Sequence, residues 1–392
     1  MGLNRNIFML GLTSFFNDFS NEMILAAFPA FFTSVLKAGA ASLGLVEGIA
    51  DGFSNILKIY SGRLSDKIQK RRIFIFIGYG LSVIIRPFYM LVGSVGGVLG
   101  LRITDRIGKG LREAPRDVII SASADEGGMG RAFGYHRTMD TLGGIMGPLA
   151  AYFILLYWPI ETGTKGFTVI FISAFILGLC AVTTIFFVKE IAGGKNEKGE
   201  KILSLKAWLQ LPTNVRIYLL AIFLLSMGTL PSAVLLLQTT SIGLLIANIP
   251  LFYMFHGLSY TAFSYYFGAK SDKVSIAKVL IFGYLVLLLS YLIVGLASSF
   301  LVLAVAFVVM GLFAAATDST QRAWIGRQVE FHHRGAAYGL FQAAVGFGAM
   351  IAGIVGGWLW QVYSPTAALM AGAITVIVGI IVLLVSVARA RC

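Results

Sequence analysis

The sequence predicts an all-α membrane protein of about twelve transmembrane helices, arranged as two pseudo-symmetric six-helix bundles. Three observations predict it: an apolar, charge-poor composition, a train of apolar runs each long enough to cross a bilayer, and a repeat of the first half's punctuation in the second. Of 392 residues, 57% are hydrophobic and 12% charged, whereas a soluble domain carries about a quarter charged residues. With 45 Gly and 30 Phe, this composition excludes a disordered chain, a fibrous chain and an ordinary soluble globule. A net charge of +13 would suggest nucleic acid in a soluble protein. In a membrane chain basic residues set topology instead, and no nucleic-acid partner is expected. The two cysteines, Cys180 and Cys392, make no disulfide framework. No Cys/His cluster has metal-site spacing, so neither metal nor cofactor is expected.

A helix needs about 20 mostly apolar residues to cross the hydrocarbon. Such runs fall at 7–35, 43–62, 73–93, 97–119, 132–157, 166–188, 216–240, 247–268, 276–296, 299–323, 336–361 and 366–388. The first holds Asp18 and Glu22, which do not suit a signal peptide, and reads as a retained helix. The connections alternate. One set is basic: Arg63 to Arg72, Arg131, Lys189 to Lys206, Lys270 to Lys278, Arg327 to Arg334, and the tail from Arg389 to Arg391. The other set holds little beyond Lys37 and Lys165. Lys and Arg are retained on the cytoplasmic side, so both termini are expected in the cytoplasm and the chain in the cell inner membrane. The long polar segment after the sixth run divides the chain into an N-terminal bundle (1–190), a cytoplasmic linker (191–214) and a C-terminal bundle (215–392).

The halves repeat each other. Gly62-Arg-Leu-Ser-Asp66-Lys67 after the second run is matched by Gly268-Ala-Lys-Ser-Asp272-Lys273 after the eighth. Gly134, Gly143, Gly147 and Pro148 of the fifth run are matched, at nearly the same separation, by Gly339, Gly348, Ala352 and Gly353 of the eleventh. A duplicated, parallel six-helix unit is an architecture of secondary transporters, whose substrate site lies near the bilayer midplane.

These residues resemble the major facilitator superfamily over essentially the whole chain. Gly62, Asp66, Lys67, Lys70 and Arg71 match the family's loop signature, with Gln69 where the family has a second Gly. Arg106 and Gly110 match the fourth-span signature. Gly134, Gly143, Gly147 and Pro148 match the fifth-span signature of antiporters, with Ala151 and Tyr152 in place of its trailing Gly pair. The resemblance implies alternating access, with helices one and four facing a central cavity, and antiport in preference to symport. It also implies a latch at the cytoplasmic side, in which Gly62, Asp66 and Lys67 meet Arg116 or Asp117, and Asp272 meets Asp318 or Arg322. Gly134, Gly143, Gly147 and Pro148 would permit close packing and a bend.

A charge at the centre of a membrane helix costs about 2.5–3.5 kcal/mol on insertion scales. This chain holds many, mostly in its first half. The fourth run carries Arg102, Asp105, Arg106, Lys109, Arg112, Glu113, Arg116 and Asp117, all within roughly 140° of the helix circumference. Helix one has Asn17, Asp18, Asn21 and Glu22; helix two has Glu47 and Asp51; helix three has Arg86 beside Pro87; helix five has His136, Arg137 and Asp140. The second half offers His256, Asp318, Gln321, Arg322 and Gln342. Candidate substrate contacts are therefore Arg86, Arg102, Arg106, Arg137, Asn17, Asn21, His256 and Gln342. Candidate proton carriers are Asp18, Glu22, Asp140 and Asp51, with Asp18 and Glu22 the expected partners of Arg102 and Arg106. A buried ion-pair network that only fixes packing is the competing reading. The expected activity is proton-coupled transport, by export, of a small polar solute, anionic or zwitterionic. Symport of a siderophore or organic anion is the alternative, and a lipid flippase the alternative of another class. No nucleophile motif suggests an enzyme. The expected partners are the solute, protons and membrane lipid, with the chain a monomer.

Overall fold

A computed structural model describes residues 4–68, 70–124, 129–159, 163–190, 211–329 and 334–390. Among them are twelve long helices and no strand: α1 (Arg5–Ser34), α2 (Ala40–Ile68), α3 (Arg71–Ile84), α4 (Val95–Ala122), α5 (Met129–Tyr157), α6 (Lys165–Ile185), α7 (Thr213–Gly228), α8 (Ile249–Lys273), α9 (Ile276–Leu296), α10 (Phe300–Gln328), α11 (Arg334–Val362) and α12 (Pro365–Ala390). Eight of these elements, with α3 and α7 counted together with the turns that follow them, are long and apolar enough to cross a membrane by length and composition. The four that fall short are α1, α2, α4 and α8, and the first three carry the charges described above.

Side chains cap the starts of several helices. Asn4 accepts from the Asn6 amide at 2.9 Å ahead of α1, and Ser94 from Gly97 at 3.2 Å ahead of α4. Ser364 accepts from Ala367 at 3.0 Å, with Pro365 as the first residue of α12, a position where a missing N–H costs nothing.

Two spans depart from the uniform helices that the apolar runs predict. The run 73–93 is a helix only to Ile84, then a 3-10 turn from Arg86 to Met90 with Pro87 near its start. The run 216–240 is broken: α7 ends at Gly228, and short turns follow at Ser232–Leu235 and Gln238–Ser241. Pro231 lacks an N–H and pushes Leu230 away from helical geometry. The Tyr291 hydroxyl of α9 repairs the break. It donates to the Gly228 carbonyl at 2.9 Å and accepts from the Leu230 amide at 2.7 Å.

The helices form two compact units. One holds α1, α3 to α6 and α2 from Leu57 onward, together with residues 246–254. The other holds the first part of α2, up to Ile56, and the remainder of the second half. Within the first unit α1 packs on α5 and α6, and α3 on α4. Within the second, α7 packs on α11 and α12, and α9 on α10. The same partners recur in the same order, as a duplication requires.

Glycines set the closest contacts. A Cβ on Gly143 would lie 2.8 Å from the Phe19 amide nitrogen, and one on Gly147 2.7 Å from both the Phe19 oxygen and the Met23 nitrogen. At the matching place in the second unit, a Cβ on Gly348 would lie 2.7 Å from the Phe223 oxygen of α7. The first part of α2 packs on α11 through Gly44, Gly48 and Gly52 against Gly346, Gly353 and Gly357, a small-residue stripe of the kind that draws membrane helices together. Gly134 departs from the packing role expected of it, since nothing lies within 4 Å of where its Cβ would stand.

These surroundings predict opposite outcomes for two glycines. Gly134→Ala should stabilise the protein by about 0.5–1 kcal/mol through helix propensity. Gly353→Leu should destabilise it by at least about 1–3 kcal/mol, because the side chain meets backbone. Unfolding midpoints of the purified protein in detergent check both.

Candidate functional site

The charged side chains of the first unit sort by depth into two tiers. In the sealed tier Arg86, Arg102, Arg106 and Arg112 are each no more than 5% exposed. A guanidinium cannot shed its proton to escape that burial, so it must be matched by acceptors or counter-charge. Arg86 donates to Asn17 Oδ1 at 2.9 Å, to Ser20 Oγ at 2.5 Å and to the Ala174 carbonyl at 3.3 Å. Ser20 in turn donates to the same carbonyl. One arginine thereby ties α1, the turn after α3, and α6 together. Gly178 lines the place where its guanidinium lies, and a Cβ there would run into Arg86 Nη1. Arg112 donates to Ser82 Oγ at 2.6 Å and to the Gly78 carbonyl at 3.3 Å, and lies 4.4 Å over the Tyr79 ring.

Arg102 and Arg106 are the main correction to the sequence reading. The carboxylate between them is Asp105 of their own helix, 3.8 Å from Arg102 and 3.9 Å from Arg106. Arg102 also lies 5.1 Å over the Phe28 ring. The expected partners on α1 are engaged elsewhere: Asp18 accepts from Asn17 and Glu22 from Asn21, both at 3.0 Å. Spacing alone could have found Asp105, since i and i+3 share a helix face.

The half-exposed tier lies where α1, α4 and α5 meet. Because Gly143 and Gly147 let α5 approach the α1 backbone, Asp18 and Asp140 become electrostatic neighbours, with Glu22 and Lys109 in the same field. Ser14 of α1 donates to Asp140 Oδ1. Arg137 lies 3.9 Å from Asp140 Oδ2 with its own side chain 56% exposed. Arg116 of α4 and His136 of α5 share the field of Asp140, and Arg116 is also an electrostatic neighbour of the buried Tyr79 hydroxyl. His136 is buried, and its Nε2 has no hydrogen-bond partner among the described residues. Lys109 and Glu113 pair at 3.8 Å along α4. Ser14, Tyr79, Lys109, Glu113 and Ser82 were not among the expected site residues. A hydroxyl on an apolar helix carries no periodic signal that marks it.

Elsewhere the expected residues are more dispersed. Arg116 bonds Asp117, with Nη2 at 3.0 Å from Oδ1. Arg322 bonds Asp318 at 3.1 Å, and Asp318 also accepts from Tyr260 at 2.9 Å. The loop halves of the expected latches, at Gly62, Asp66, Lys67 and Asp272, lie outside the residues whose side chains are described. Asp51 is half-buried on α2, and Gln342 on α11. His256 is half-buried on α8, its carbonyl against Gly311 of α10. Pro148 is buried inside α5. No group of His, Cys, Asp and Glu fit to hold a metal occurs among the described residues.

The sequence model of the Major Facilitator Superfamily matches residues 10–260 and 239–391. The chain is 31% identical, over 97% of its length and 95% of the relative's, to an uncharacterised MFS-type transporter of Methanocaldococcus jannaschii. It is 23% identical to the multidrug resistance protein MdtG of Klebsiella pneumoniae, over 47% of this chain and 44% of that one. In fold it is similar to a mutant form of the nucleoside transporter NupG, with a TM-score of 0.82 at 16% identity, covering 97% of this chain and 99% of that one.

The two tiers predict different sensitivities. Asp105→Asn removes the counter-charge from two sealed arginines and should cost about 3–5 kcal/mol, read as a lower unfolding midpoint and a lower folded yield. Arg137→Ala, at an exposed pair, should stay within about 1 kcal/mol of the parent.

Proposed function

The chain belongs to the major facilitator superfamily, a family of membrane transporters rather than enzymes, and on that premise we propose that it is a proton-coupled secondary transporter of a small polar solute. The observation that carries this reading is the meeting of Asp18 and Asp140 beside Arg116, His136 and Lys109. Two neighbouring carboxylates repel, and a proton taken up by the pair removes that repulsion. Arg116 and Arg137 offset the charge of Asp140 in the absence of solute. An anionic or zwitterionic solute that draws a guanidinium away leaves the carboxylate pair less compensated, so binding of solute and of proton become linked. Both ligands then act on one bistable structure, which is what coupling by alternating access requires.

The depth of each charge redistributes the roles. Asp18 and Asp140 carry the proton, with Glu22 beside them. Arg116, Arg137, Lys109 and Asn21 contact the solute, while Arg86, Asn17, Arg102 and Arg106 hold the helices that carry the site. Asp117, Asp318 and Arg322 belong to the latch. Export by antiport is preferred, supported by the Gly143, Gly147 and Pro148 pattern and by the partial likeness to a multidrug resistance protein. The basic connections support a location in the cytoplasmic membrane with both termini inside, and the protein acts as a monomer.

In inverted vesicles with an acidified lumen, adding a transported solute should release protons from the lumen. Asp18→Asn and Asp140→Asn should abolish this proton-linked flux in proteoliposomes while solute exchange without a gradient persists. Gradient-driven transport that survives in both variants would overturn the assignment, and proton uptake with the solute would turn antiport into symport.

A further inference from the structure

On the second unit, α7 and α11 leave between them an apolar groove of about 510 Å³. Ile217, Leu220, Phe223, Leu340, Ala344 and Phe347 line it, and Arg216 stands at one end. Leu220 is 50% exposed and Phe347 46% exposed, as apolar side chains on a membrane helix are when they face acyl chains. The Arg216 end lies in the first turn of α7, where a span begins and the headgroup region of a bilayer would meet it.

Arg216 is incompletely used. Its Nη2 donates to the Thr213 hydroxyl at 3.0 Å, a neutral partner, and no acidic side chain among the described residues is paired with it. Its Nε is shielded from solvent and has no hydrogen-bond partner among the described residues. A buried donor without an acceptor is costly. The start of α7 adds to the positive potential: the Pro212 carbonyl takes the Val215 and Arg216 amides, Pro212 supplies no side-chain cap, and the Thr213 and Asn214 amides at the helix opening precede any acceptor within the helix.

We propose that this groove binds one anionic phospholipid, with its phosphate on Arg216 and the opening amides of α7 and an acyl chain along Leu220, Phe223 and Phe347. Guanidinium and phosphate match in charge and in hydrogen-bonding geometry. The apolar remainder of the groove matches a hydrocarbon chain and gives no purchase to a free inorganic anion. A second groove, between α9 and α12, is lined by Leu288, Leu292, Leu369 and Ala373 and offers no charged side chain. It serves as the internal control. The inference does not depend on which solute is carried or how transport is coupled.

The test uses the full chain purified with phosphatidylglycerol or with phosphatidylcholine and weighed intact by native mass spectrometry. The parent should retain one phosphatidylglycerol in preference to phosphatidylcholine. Arg216→Gln should lower that retention about fivefold, the weight of one Arg at an anionic membrane surface, and Arg216→Lys should keep most of it. Ala344→Trp, which fills the groove, should lower it as well, whereas Ala373→Trp in the control groove should not. If Arg216→Gln fails to fold, Arg216→Lys and Ala344→Trp carry the comparison. Equal retention of the two lipids by the parent overturns the proposal, and so does full retention by Ala344→Trp. Displacement of the lipid by millimolar inorganic phosphate would mean that the groove contributes nothing and would also overturn it.

Discussion

The approach of α5 to the backbone of α1, at Gly143 and Gly147, is the contact on which the charged interior depends. A side chain at either glycine would meet main-chain atoms of α1 rather than a mobile side chain. Without that approach Ser14 would not reach Asp140, and Asp18 would stand apart from it. Each of these groups would then have to find water or lipid, and a lone charge in hydrocarbon is a poor alternative. Helix packing in a bilayer draws on close van der Waals contact and hydrogen bonding, because lipid is as apolar as the side chains themselves. Here the close contact and the polar contacts fall at the same place.

The stripe of eight charges on α4 divides by depth, and the division separates two jobs. The deeper members are held within the first unit: Arg102 and Arg106 lie on either side of Asp105, and Arg112 donates to Ser82 and the Gly78 carbonyl over the Tyr79 ring. Arg86 adds a tie that reaches α1 and α6 at once. Such a framework fixes orientation at some cost in stability, which is the usual balance for ionic groups out of water. The shallower members Lys109, Glu113 and Arg116 keep part of their surface open, and Arg116 shares a field with Asp140 of α5. A solute can compete only for charges of this second kind.

The architecture was legible in the sequence because its signals are long and repeated. Twelve apolar runs became twelve long helices, and the glycine pattern of the fifth span reappeared in the eleventh, where Gly348 meets α7 as Gly143 meets α1. Membership in the family was legible for the same reason. Pairing within the site was less so. Gly134 and Gly143 are the same residue in one motif, yet one faces open space and the other a neighbouring backbone. The depth of Arg102 relative to Arg116 depends on how α4 meets α1, α3 and α5, which helical periodicity does not encode. The break after Gly228 had its signal in Pro231, but the surrounding apolar run reads as continuous.

That break changes what the seventh span is mechanically. The freed carbonyl of Gly228 and the amide of Leu230 both end on one hydroxyl, Tyr291 of α9, so these two main-chain groups need no partner from outside the protein. A continuous helix transmits a push along its whole length as a rigid rod. This one is interrupted, and α9 bridges the interruption through Tyr291, while Leu230, Val234, Leu235 and Leu236 of the segment beyond it are buried within the same unit. A push along this span therefore crosses the break through a side-chain hydroxyl of α9 and not through an unbroken ladder of helical hydrogen bonds.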